Sequence, residues 1–215
     1  MIIENIMTAI DSIAQTQGHT IAYDELGNTH TYEQLKTYSD SLAAFIENLP
    51  IADKAPIMVY GGQQFEMIAS FLGSVKSGHA YVPVDINSAD ERLTDIINIG
   101  KPALVIAVDD LPIEITGVPV IKQAQLANIF NTVSNFNMTK PVVGDENFYI
   151  IFTSGTTGKP KGVQISHDNL VSFASWMLGD DFNWQAGSNV LSQPPYSFDL
   201  SVMDWIPTLL AKGTL

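Results

Sequence analysis

The 215 residues contain no cysteine. A disulfide framework, a thiolate nucleophile and a zinc–thiolate site are therefore excluded. Positive charge is scarce as well. Nine Lys and a single Arg, Arg92, face 23 acids, for a net charge of −13. A surface this acidic argues against nucleic acid or an anionic membrane as the general partner. Four scattered His residues give no ground for a His-rich metal site. Long apolar runs are missing too. Runs such as Tyr149-Ile150-Ile151-Phe152 are strand-sized, far short of the ~20 residues that span a bilayer, so no membrane insertion is expected. The first ten residues carry Glu4 and no basic residue, which is not the pattern of a secretory signal. The expected location is the cytoplasm. Charged residues are only 15% and hydrophobic residues 46%, which excludes disorder as the main state. A chain of this length has room for one large domain or two small ones and buries roughly 70% of its unfolded surface.

Short β-rich runs alternate with helical periodicity. Ile3, Ile6, Met7, Ile10, Ile13 and Ala14 have helical spacing, as do Leu35, Tyr38, Leu42, Phe45, Ile46 and Leu49. Thr31 with Gln34 fits a capping box, and so does Ser88 with Glu91 ahead of Leu93, Ile96 and Ile97. Gly100 is placed to end that later helix. Residues 57–60, 80–84, 103–107 and 148–152 read as strands buried on both faces. This alternation predicts an α/β fold with a largely parallel sheet flanked by helices. The stretch Asp109 to Gly144 is less regular, and a subdomain boundary is expected within 109–144.

The strongest chemical signal is Thr153-Ser154-Gly155-Thr156-Thr157-Gly158-Lys159-Pro160-Lys161-Gly162. Glycines let backbone N–H groups approach a ligand, hydroxyls add adjustable donors, and the two lysines bring positive charge into an acidic chain. A polyphosphate needs this combination. A polar hairpin without a ligand is the plainer alternative. The loop is not a Walker-type P-loop: only two residues separate Gly155 from Gly158, Pro160 follows Lys159, and a strand rather than a helix comes next. No G-x-G-x-x-G follows a strand, so a dinucleotide fold is rejected too. The loop is expected to be exposed, and mobile without ligand.

This loop resembles the phosphate-binding signature of the adenylate-forming enzymes: the acyl-CoA synthetases, luciferases and peptide-synthetase adenylation domains. Further matches follow in the family's order at residues 31–35, 76–85, 90–93, 166–170 and 198–202. The wording of residues 193–199, Gln-Pro-Pro-Tyr-Ser-Phe-Asp, is most similar to members that load D-alanine onto a D-alanyl carrier protein for teichoic acid modification. The resemblance implies that ATP and a carboxylic acid give an acyl adenylate and pyrophosphate. It implies phosphate contacts from Thr153, Ser154, Gly155, Thr156, Thr157, Gly158, Lys159 and Lys161, with Thr153 and Ser154 the foremost. It implies that Asp199 pairs with a substrate ammonium while Leu200 and Met203 face the substrate. The plainer alternatives are a helix cap for Asp199, between an apolar strand and a helix, and helix core for the other two.

His167 reads as a structural histidine, with a nucleotide contact as the alternative. Tyr81, Pro83 and Asp85 read as packing and turn residues. Trp176, Trp184 and Trp205 read as core or interface residues rather than pocket lining. Family parts expected beyond Leu215 include the adenine-stacking motif with the glutamate that binds Mg2+, the ribose-binding aspartate and the catalytic lysine. The expectation is therefore an N-terminal portion of an adenylation domain, residues 1–215, holding no catalytic residue and no metal ligand and inactive alone. A non-catalytic fold remnant, or a ligase for another amino acid, remains the alternative. The apolar residues Leu209, Leu210 and Leu215 are expected to leave core unpartnered and favour self-association.

Overall fold

The structure, a computed structural model, describes residues 3–132, 135–155, 159–182 and 184–215. Helix α1 spans Ile6–Gln17 and is capped by the Asn5 side chain, which accepts from the Thr8 N–H. A two-stranded antiparallel hairpin follows, β1 (Ile21–Glu25) and β2 (Asn28–Thr31). Its two turn residues, Leu26 and Gly27, both take positive φ, 52° and 93°. That is the twist-matched hairpin turn, which glycine adopts freely; Leu26 takes it with its side chain wholly in solvent. Helix α2 (Tyr32–Glu47) opens with the capping box read from the sequence, Thr31 with Gln34.

Six further strands build the central sheet: β3 (Ile57–Gly61), β4 (Tyr81–Asp85), β5 (Leu104–Ala107), β6 (Val120–Ile121), β7 (Asn147–Ser154) and β8 (Pro160–Ser166). Their order is β6-β5-β3-β4-β7-β8. The first five run parallel and β8 returns antiparallel to β7 at the edge. Helices α3 (Phe65–Lys76), α4 (Asp90–Gly100), α5 (Gln123–Phe130), α6 (His167–Met177) and α7 (Val202–Leu210) complete the fold.

Strand periodicity sorts the core into two layers. Ile57, Val59, Tyr81, Leu104, Ile106, Tyr149 and Ile151 face α1, α2, α3, α5, α6 and α7. The alternating residues Met58, Tyr60, Val82, Val84, Val105 and Phe152 face Leu93 and Ile96 of α4. Ile121, Leu126 and Phe130, from the irregular stretch, pack in the larger layer. A buried ion network ties three helices there. Lys76 is fully buried, and its ammonium reaches Asp11 at 2.7 Å, Asp40 at 2.6 Å and the Ser39 hydroxyl at 3.0 Å.

Three expectations need correction. Helix α4 has no side-chain cap. Ala89, not Ser88, is its N-cap. The helix does end at Gly100, and the left-handed position after it falls on Lys101, at φ 45°. Among the described residues no strand leads directly into Asp199: residues 191–198 lack strand pairing, and Asn189 makes only an isolated bridge with Thr214. The apolar end is not unpartnered. Leu209, Leu210 and Leu215 are buried within the chain, the N–H of Leu215 donates to the Ala22 carbonyl, and its own carbonyl accepts from Asp24. That removes the reason for expecting self-association there. Among the described residues, no helix is long and apolar enough to cross a membrane.

Candidate functional site

The glycine-rich loop joins β7 to β8 at the carboxyl end of a parallel strand, where ligands of open α/β sheets bind. Register pairs Thr153 with Lys161 and Ser154 with Pro160. Thr153, Ser154, Lys159 and Lys161 are all exposed. Thr156, Thr157 and Gly158 lie outside the described residues, and with them the expectation of loop mobility. The Thr153 hydroxyl reaches the Lys161 carbonyl at 3.5 Å, the edge of hydrogen bonding, so it is readily given up to another acceptor. The Gly155 N–H donates to the Lys159 carbonyl across 3.2 Å. A Cβ at Gly155 would stand 2.3 Å from that carbonyl oxygen, so only glycine permits this closure. Among the described residues, Lys159 and Lys161 have no carboxylate within ion-pair distance. Two uncommitted ammonium groups thus stand beside exposed hydroxyls, a donor set chemically suited to a polyanion.

Arg92 reaches this loop from α4. Its guanidinium donates to the Phe152 carbonyl at 2.7 Å, one residue before Thr153. The Phe152 ring lies close to Gly100 and Gly162, and a Cβ at either would come within 3.2 Å of it. The strand end that carries the loop is thereby held from both sides.

Asp199 begins a one-turn 3-10 helix, Asp199–Ser201, that leads into α7. It caps neither element: Phe198 and Ser201 are the N-caps, and neither position has a side-chain cap. The helix-cap alternative therefore fails. The carboxylate accepts instead from the Tyr149 hydroxyl at 2.7 Å. Asp199 is exposed, not buried as an ammonium-pairing carboxylate inside a closed pocket would be. Leu200 is 58% exposed, so helix core fails as its alternative, and Met203 is half-buried. Burial, with the Asp199 carboxylate beside it, pushes the Tyr149 phenol far above the usual tyrosine range and keeps its proton in place.

The segment before Asp199 is fixed by Gln63, after β3. Its amide donates to the carbonyls of Ser192 at 3.3 Å and Pro194 at 2.9 Å. The Gln63 carbonyl accepts from the Tyr23 hydroxyl at 2.6 Å, and Tyr23 accepts from Tyr196 at 3.4 Å. Tyr149, Gln63 and Arg92 were not read as site residues from the sequence. Tyr149 left one signal, a phenol in an otherwise apolar buried run, where the hydroxyl needs a partner.

The other residues take structural places. His167 is 2% exposed, and its Nε2 accepts from the Ile6 N–H at 3.3 Å. Tyr81 stacks on Phe71 with ring centroids 4.1 Å apart. Asp85 accepts from the Asn87 backbone and side chain and shapes the turn after β4. Trp205 is core, whereas Trp176 is half exposed and meets Phe182 edge-on. Among the described residues, no cluster of three or more His, Cys, Asp or Glu could hold a metal ion.

The chain is similar to the D-alanine–D-alanyl carrier protein ligase of Lactiplantibacillus plantarum, 60% identical over 213 residues. It is 51% identical to the enzyme of the same name from Streptococcus pneumoniae and 50% to that of Streptococcus agalactiae, each over 214 residues. These matches cover 99% of this chain but 42% of each relative, so the chain spans less than half their length. Among solved structures, the N-terminal subdomain of Klebsiella oxytoca NpsA aligns with a TM-score of 0.87 at 22% identity, over 100% of this chain and 55% of that one. The peptide synthetase FmoA3 in its AMPPNP-bound form aligns with a TM-score of 0.84 at 22% identity, over 98% of this chain and 22% of that one. At such identities these two speak for the fold alone. The family model for the AMP-binding enzymes matches residues 10–215, and the chain belongs to that family.

Proposed function

We propose that these residues are the N-terminal portion of an ATP-dependent ligase that activates D-alanine as its adenylate and passes it to a D-alanyl carrier protein. The observation that carries the reading is the 60% identity over 99% of the chain to a ligase of that name. The loop geometry supports it. A carboxylate oxygen of D-alanine attacks the α-phosphate of ATP, and pyrophosphate leaves. Charge builds on the departing group, and cations and N–H donors aimed there lower the barrier. Thr153, Ser154 and the glycine backbone hold the β- and γ-phosphates, and Lys159 and Lys161 offset their charge. Asp199 accepts the substrate ammonium, flanked by Leu200 and Met203. Groups for adenine, ribose, Mg2+ and the catalytic lysine are expected beyond these residues, so the 215 residues alone are inactive. The same reading keeps a subdomain boundary within 109–144 and assigns the acyl transfer to teichoic acid D-alanylation. Because the reaction consumes ATP, we assign it to the cytoplasm.

The test is ATP–pyrophosphate exchange by a full-length ligase containing these residues. Exchange should depend on D-alanine and be absent from the 215 residues alone. A folded full-length enzyme without D-alanine-dependent exchange would contradict the function. Turnover by the 215 residues near that of the intact enzyme would contradict their role as a portion of it.

A further inference from the structure

We infer that Tyr149 is a positioning residue for the amine end of the substrate: its hydroxyl holds one oxygen of Asp199 and thereby aims the other at the incoming ammonium. This rests on the role proposed for Asp199 above. The 2.7 Å bond from Tyr149 is the one hydrogen bond that the described residues give the Asp199 side chain. An exposed carboxylate on a single 3-10 turn, capping nothing, would otherwise sample several rotamers. Tyr149 has no such freedom. It is 4% exposed and pairs in register with Tyr81 on the neighbouring strand. The two rings lie 5.7 Å apart, and Tyr81 is in turn stacked on Phe71. The phenol thus carries the rigidity of the core out to the carboxylate. A carboxylate has about four lone-pair sites, and the phenol occupies one. The rest remain for the three donors of an ammonium.

The same strand sets a second position. Tyr149, Ile151 and Thr153 alternate onto one face of β7. Tyr149 and Ile151 are buried there, and Thr153 is exposed where the phosphate loop begins. Four residues of strand rise place Tyr149 and Thr153 about 13 Å apart. One rigid strand therefore fixes both the group that orients the amine acceptor and the first group of the phosphate loop. A small α-amino carboxylate reacting at an α-phosphate lies between those ends, and in-line attack requires both to be held.

The test is a double-mutant cycle in the full-length ligase, with Tyr149→Phe, Asp199→Asn and the pair. Kinetics of pyrophosphate exchange give KM and kcat for D-alanine and KM for ATP. Tyr149→Phe keeps the ring and its packing and removes only the donor. It should raise KM for D-alanine about tenfold and leave kcat and KM for ATP unchanged. In the Asp199→Asn background it should add nothing, because the two residues act as one. If Tyr149→Phe stays within about twofold of wild type while Asp199→Asn is impaired, the inference is overturned and the role of Asp199 stands. If Asp199→Asn leaves KM for D-alanine unchanged, the reading of Asp199 fails and the inference falls with it. Should the Phe variant unfold, 3-fluorotyrosine at position 149 keeps the shape and alters only the donor strength. It must then shift KM for D-alanine, and an unchanged KM overturns the inference.

Discussion

The backbone N–H of Ile6, at the start of α1, donates to Nε2 of His167, at the start of α6, across 3.3 Å in the interior. The bond needs an unprotonated Nε2. Burial holds the His167 imidazole below its ordinary value of 6.5, outweighing the nearby Asp168. A base whose folded value is depressed contributes stability that is present above its unfolded value and lost as pH falls through the folded one. Unfolding free energy from urea titrations should therefore decline below pH 6.5. His167→Gln keeps an acceptor for Ile6 without a titrating ring, so its decline should be shallower than that of wild type. Identical pH profiles for the two proteins would contradict this.

Lys76 sits between Asp11 and Asp40 with no access to water. Lys76→Met fills similar volume but leaves Asp11 and Asp40 with only the half-buried Lys36 as a cation, and one oxygen of each loses its partner. The expected loss is about 1–3 kcal/mol of unfolding free energy. Urea denaturation checks it, and a variant as stable as wild type would show that the network is not holding α1, α2 and α3 together.

Gly155→Ala drives a methyl group into the Lys159 carbonyl, so the base of the loop must open. The strand end is exposed, and the core should not notice. In the full-length ligase KM for ATP should rise about ten- to a hundredfold, with the thermal midpoint nearly unchanged. An unaltered KM for ATP would remove the closed loop from the phosphate site.

Lys159→Gln and Lys161→Gln each remove one uncommitted cation. Each should raise KM for ATP by about tenfold and make ATP binding less sensitive to salt. KM for D-alanine should not move. Steady-state kinetics at low and high ionic strength read both effects.

The sequence carried what depends on local pattern. The capping box at Thr31 and Gln34, the apolar strand runs and the order of motifs each rest on neighbouring residues, and each took its place in the fold. The hairpin turn at Leu26 and Gly27 escaped notice because leucine is not a residue that signals positive φ. Ser88 and Glu91 matched a capping box that does not form, since Ala89 occupies the cap. At the site, the loop and Asp199 were visible as residue types. Their supports were not, because Tyr149 and Asp199 are 50 residues apart and Gln63 and Pro194 are 131 apart. Contacts at that separation follow from sheet order, which periodicity does not give. The exposure of Asp199 also had no local signature.

The central claim is that Asp199 receives the substrate ammonium. The most direct measurement is D-alanine-dependent ATP–pyrophosphate exchange by the full-length ligase carrying Asp199→Asn. Asn keeps the shape and can still accept from Tyr149, but its amide NH2 then faces the ammonium, so the charge and the second acceptor are lost together. Because Asp199 is exposed within these residues, the loss is that of a charge-assisted hydrogen bond rather than of a fully buried ion pair. The account predicts a fall in kcat/KM for D-alanine of about ten- to 150-fold, with KM for ATP unchanged. Exchange within about threefold of wild type, from an equally stable protein, would contradict it.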